Sequence, residues 1–152
     1  MKFDHRIVVD APKETVRAFL DDVPRAARCL PGLEEIKPLG DDTYEGKVRV
    51  KIGPLGLSIA GRARREPGAG PDSWRLQGEG RDGRAGSGVK AALEAQLASL
   101  APSQTEVKVS ADVQFSGRLA ELGQPLIKRK ADAMLQDFAE NLKRALAPTP
   151  RA

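Results

Sequence analysis

The side chains able to do chemistry are few. His5 is the only histidine and Cys29 the only cysteine in 152 residues. Catalytic triads need a conventional base beside the nucleophile, and zinc sites need three or four clustered ligands. One histidine and one cysteine exclude a multi-histidine metal site, a cysteine zinc site and an intramolecular disulfide. His5 lies on an alternating segment near the start, where a surface or edge role is expected. Cys29 stands beside Leu30 and Pro31 at a helix end and is expected to be a buried, inert thiol. The carboxylate pairs Asp21-Asp22, Glu34-Glu35 and Asp41-Asp42 are sequence neighbours that do not face one another, so they read as caps, solvated loop and turn. Gly78-Glu79-Gly80 and Gly86-Ser87-Gly88 lack the Gly-Lys-Ser/Thr ending of a phosphate loop and read as places where strands bend. No catalytic residue and no metal ligand is assigned, and the protein is expected not to be an enzyme.

The basic residues are the next candidates. The chain has 25 lysines and arginines against 21 acidic residues, a net charge of +4. This permits weak attraction to anionic surfaces without arguing for it. Lys47, Arg49 and Lys51 alternate with apolar residues, as do Arg62 and Arg64 beyond the turn Gly53–Gly56. All five are expected on one outward hairpin face. Such a face suits anionic headgroups or an acidic partner, although a solvated sheet face with lysines that discourage aggregation is the favoured reading. Lys128-Arg129-Lys130 carries the same two readings. No aromatic interleaving supports nucleic-acid binding.

The elements that would position these residues follow from periodicity. Phe3 to Val9 is a strand. Asp10 is expected to cap a helix with Pro12 in its first turn and Val16, Phe19, Leu20 and Val23 at helical spacing. Asp22 and Pro24 start a second short helix that ends at Pro31-Gly32. From Tyr44 the period becomes two, giving a hairpin over Tyr44–Ile52 and Leu57–Arg64, then a strand holding Trp74 and Leu76. Residues 88–100 have strong helix propensity yet alternate, and their short linker to the plain strand Val107–Phe115 makes them a strand. Pro125 fits the first turn of a last helix, starting near residue 124 and running to about Ala147. Its stripe is Ile127, Ala131, Met134, Phe138, Leu142 and Ala145. One domain is expected over residues 1–147, with a flexible tail at 148–152.

The order is strand, two short helices, about six antiparallel strands and one long helix. A bent sheet can wrap that helix, with glycines at 46, 61, 78, 80, 86 and 88 as bending points. With aromatics at only 4%, the space between sheet and helix is either an apolar ligand cavity or a fully packed core. The sheet side of a cavity is assigned to Val48, Val50, Leu57, Ile59, Trp74, Leu76, Leu93, Val109 and Val113. The helix side is assigned to Ile127, Met134 and Phe138.

Several motifs occur in a familiar order: Cys29-Leu30-Pro31-Gly32, Tyr44-Glu45-Gly46, Val50-Lys51-Ile52-Gly53-Pro54, Gly78-Glu79-Gly80, Ser116-Gly117-Arg118-Leu119-Ala120, Gly123, and Phe138 with Asn141-Leu142. Together they resemble the G-subunit family of carbon monoxide dehydrogenase, over Lys2 to Leu146. The resemblance implies the helix-grip fold of the START-like (SRPBCC) superfamily: α+β, with a curved seven-stranded antiparallel sheet around the C-terminal helix and two short helices after the first strand. It implies a non-enzymatic accessory protein with a quinone or lipid in its cavity and no other cofactor. The implied partners are the subunits of a molybdenum-containing hydroxylase, recruited to the cytoplasmic membrane. Many family members carry a longer Pro/Ala-rich tail with a hydrophobic end, and this sequence stops at Pro148–Ala152. Membrane attachment is therefore expected from the pocket, the basic face or a partner. The N-terminus lacks a signal-peptide core, and no apolar run approaches a bilayer span, so a cytoplasmic location, peripheral to the inner membrane, is expected. Two rival readings are an assembly module with a packed core and a helix-grip enzyme such as a cyclase. The latter would need polar groups inside, and only Tyr44 has a suitable inward phase.

Overall fold

The computed structural model describes residues 1–68 and 70–147; the tail expected at 148–152 lies outside them. Seven strands form one antiparallel sheet: β1 (Lys2–Val9), β2 (Leu33–Gly40), β3 (Thr43–Ile52), β4 (Leu55–Pro67), β5 (Ser73–Asp82), β6 (Ser87–Ala101) and β7 (Gln104–Gly117). Their order across the sheet is β1-β7-β6-β5-β4-β3-β2, so β1 and β2 are free edges and the sheet does not close. Helices α1 (Lys13–Asp21) and α2 (Val23–Ala27) follow β1, and α3 (Gln124–Leu146) ends the described chain.

Residues 88–100 are strand despite their helix propensity. Their alternation lets β6 pair with β7 along its length and with β5 over Ser87–Gln96, and tertiary pairing overrides a weak local preference. Asp22 caps α2 through a hydrogen bond accepted from the Arg25 amide, whereas Asp10 does not cap α1. Pro12 occupies that position without a side-chain cap, and Asp10 instead accepts a hydrogen bond from the Gln104 amide group. Pro125 stands in the first turn of α3 as expected.

Two apolar clusters hold α3 to the sheet. At its C-terminal half Ala139, Leu142 and Leu146 join Ile7, Val9, Val16, Phe19, Leu97 and Val107. Asn141 donates a hydrogen bond to the Cys29 carbonyl there, at 2.9 Å. At its N-terminal half Ile127 joins Val50, Ile52, Leu57 and Leu119. The stripe read from the sequence needs one correction. Ala145 is exposed and Ala139 and Leu146 are buried in its place, so the face buried at this end of the helix runs through the positions three before and four after Leu142.

The approach to α3 is fixed by a polar anchor at the β5–β6 turn. Asp82, 7% exposed, accepts hydrogen bonds from the Ser58 amide at 2.7 Å and the Ala85 amide at 3.1 Å. The Ser87 hydroxyl accepts one from the Leu119 amide at 3.0 Å. Those amides, Ser58 first, hold the Asp82 carboxyl below the usual aspartate range. An unfolded aspartate titrates near pH ~3.9. The folded value is lower, so the contribution is complete above the unfolded pKa and is lost as pH falls through the folded one. Asp82→Asn is therefore expected to lower the denaturation midpoint at neutral pH. Its deficit should shrink below about pH 4, as read from denaturant midpoints across a pH series.

Candidate functional site

Between the two clusters the inner face of the sheet has almost no side chains. The cross-strand partners Gly46, Gly61 and Gly80 form one row across β3, β4 and β5. Ala63, Gly78 and Ala91 form the next, across β4, β5 and β6. The strands approach closely here. A Cβ on Gly61 would overlap the Glu79 carbonyl oxygen, and one on Gly80 would stand 2.6 Å from the Ile59 side chain.

Small residues at inward positions leave a cavity of about 380 Å³ between sheet and helix. This volume is within the range of ligand sites. Val48, Val50, Leu57, Ile59 and Leu76 line its floor, Ile127, Ala131 and Met134 its roof, and Val23, Ala27, Leu30, Leu33 and Ile36 one side. Leu30, Leu33, Ile36, Tyr44 and Met134 are only half-buried, so part of the wall meets solvent.

Of the twelve residues assigned to a cavity wall, seven line it: Val48, Val50, Leu57, Ile59, Leu76, Ile127 and Met134. The other five do not. Trp74, Val109 and Phe138 pack against the cluster around Leu142. Leu93 and Val113 are half-buried at inward positions outside the lining. The void lies over the Gly/Ala rows and the aliphatic residues beside them, while larger residues fill the sheet toward β1. The lining missed in the sequence includes the Gly/Ala rows of β3 to β6, a side wall from α2, Leu30 and β2, and Val89, Phe115, Leu119 and Lys130. Leu30, Leu33 and Ile36 carried a signal, since they are apolar residues bracketing the helix-ending Pro31-Gly32.

Trp74 is the clearest reassignment. Its indole N–H is buried without a hydrogen-bond partner among the described residues, and its ring belongs to the packed core. Trp74→Phe is expected to leave uptake of an apolar ligand unchanged in the same titration that detects uptake by the unaltered protein.

Lys47, Arg49, Lys51, Arg62 and Arg64 are all exposed, at positions of β3 and β4 opposite in phase to the cavity-lining residues. Arg49 lies 3.6 Å from Glu34 and Arg62 3.9 Å from Glu45, so part of this charge is balanced locally. The Cys29 thiol is buried, and burial pushes its pKa up, away from the reactive thiolate. His5 shares the phase of Phe3, Ile7 and Val9 and is half-buried on the edge strand β1. Among the described residues no cluster of His, Cys, Asp or Glu could hold a metal ion, and no helix is long and apolar enough to cross a membrane.

A seven-stranded antiparallel sheet gripping a C-terminal helix over an apolar cavity is the START-like, helix-grip fold. The model of the carbon monoxide dehydrogenase G-subunit family (CoxG) matches residues 6–147, and the chain belongs to that family. A conserved protein from Geobacillus kaustophilus superimposes with a TM-score of 0.87 at 18% identity, covering 97% of this chain and 95% of that one. A START superfamily protein from Mycobacterium smegmatis gives 0.73 at 16% identity, covering 95% and 96%. The Zhui aromatase/cyclase from Streptomyces sp. R1128 gives 0.64 at 17% identity, covering 95% and 94%. At these identities the likeness is one of fold. A comparison with curated protein sequences finds no match.

Proposed function

We propose that residues 1–147 form one ligand-binding domain that carries a quinone or lipid in the cavity and performs no chemistry on it. In this reading the loaded protein helps recruit a molybdenum-containing carbon monoxide dehydrogenase-type hydroxylase to the inner face of the cytoplasmic membrane. The observation that carries the reading is the 380 Å³ apolar cavity. An assembly module with a packed core would have no use for rows of glycine and alanine that keep side chains out. Membership of the CoxG family supports the accessory role beside that enzyme. The exposed basic hairpin of Lys47, Arg49, Lys51, Arg62 and Arg64 is the proposed surface for an anionic membrane or an acidic partner.

Native mass spectrometry of protein purified gently from its own host tests the cargo. The expected result is a ligand-bound species whose added mass is a quinone or lipid. Ligand-free protein that also takes up neither on titration would overturn the reading. Flotation of the partner enzyme with quinone-bearing anionic vesicles, with and without this protein, tests recruitment.

A further inference from the structure

The run Lys128-Arg129-Lys130, one basic patch in the sequence, is divided three ways by the turn of α3. The Lys128 ammonium donates to the Asp132 carboxylate at 3.2 Å and lies 5.5 Å from the Phe3 ring centroid. Arg129 is exposed. Lys130 is half-buried and lines the cavity, one turn along from Ile127 and Met134.

Among the described residues the Lys130 ammonium has no hydrogen-bond or ion-pair partner. Two other charged residues border the cavity, Arg62 and Glu79. They are cross-strand partners at exposed, outward positions, and Arg62 faces Glu45. Lys130 is thus the one charged side chain on the cavity's helical wall, and Tyr44 supplies the phenol on the opposite, sheet side. The stem of Lys130 lies in the apolar wall while its ammonium, which is not among the buried unpartnered groups, reaches water at the rim, where a ligand's head group can take the water's place.

We infer that Lys130 is a specificity-determining residue that holds the head group of the bound amphiphile, selecting ligands with a hydrogen-bond-accepting oxygen while the chain lies in the apolar bowl. Quinone carbonyls and carboxylates share that chemistry. The inference rests on the cavity being a ligand site, and it adds which end of the ligand sits where.

Binding of three probes of similar chain length tests it: a decyl-tailed benzoquinone, dodecanoate, and dodecylbenzene, which lacks an oxygen. Each is titrated into the unaltered protein, Lys130→Met and Lys130→Arg. Lys130→Met should weaken one or both oxygen-headed probes by about tenfold or more and leave dodecylbenzene unchanged. Lys130→Arg should retain most of the affinity. A loss confined to dodecanoate would identify an acidic head, and a loss for the benzoquinone would identify a carbonyl head. An equal effect on all three probes, or none, would overturn the inference while leaving the cavity reading intact. Failure of every probe to bind the unaltered protein would overturn both.

Discussion

Phenylalanine at both Ala63 and Ala91 is expected to abolish ligand uptake without unfolding the protein. These residues flank Gly78 in one row of the inner sheet face, and all three line the cavity. Two benzyl groups in place of two methyls would occupy the space that the small residues keep open. Overpacking a filled core costs about 1–3 kcal/mol, but these rings would enter a void, so the penalty should fall at or below the low end of that range. Titration with a decyl-tailed benzoquinone should show affinity reduced by well over about tenfold, with the thermal midpoint within a few degrees of the starting protein. Retained affinity in a folded double variant would mean that the ligand binds elsewhere.

Leu142→Ala should have the opposite profile. Leu142 is 0% exposed, within the cluster that seats the C-terminal half of α3. Removing a buried leucine side chain costs about 2–5 kcal/mol, since its surroundings collapse only in part. For a domain of this size each kcal/mol shifts the thermal midpoint by about 2–4 °C, so a fall of about 5–15 °C is expected. Met134→Ala, on the same helix, removes a half-buried side chain that already faces a void. It should cost about 1 kcal/mol or less. The contrast between the two variants, read by calorimetry, separates the part of α3 that holds the fold from the part that roofs the cavity.

Much of this architecture is legible in the residue pattern. Alternation outweighs helix propensity at residues 88–100 because a strand between two neighbours must present two consistent faces. Pro125 marks the start of α3 because proline is favourable only in a helix's first turn. The cavity is less legible. Its position depends on register, which brings Gly46, Gly61 and Gly80 into one row and Ala63, Gly78 and Ala91 into the next. A strand read by itself shows inward phase but not its cross-strand partner. Phase alone thus puts Trp74, Val109 and Phe138 on the wall, although they fill the neighbouring core. The basic run at 128–130 is opaque for a related reason. Adjacent residues on a helix point about 100° apart, so one patch in sequence becomes three environments in space.

The central claim is that an apolar ligand lodges under α3, and the two methionines allow a direct test. Met134 lines the cavity, while Met1 packs against the adjoining cluster without lining it. With the methionine methyl groups labelled with carbon-13, titration with a decyl-tailed benzoquinone or dodecanoate should move the Met134 resonance to saturation and leave Met1 nearly still. A Met134 signal unmoved by either ligand, while the protein stays folded, would contradict the account.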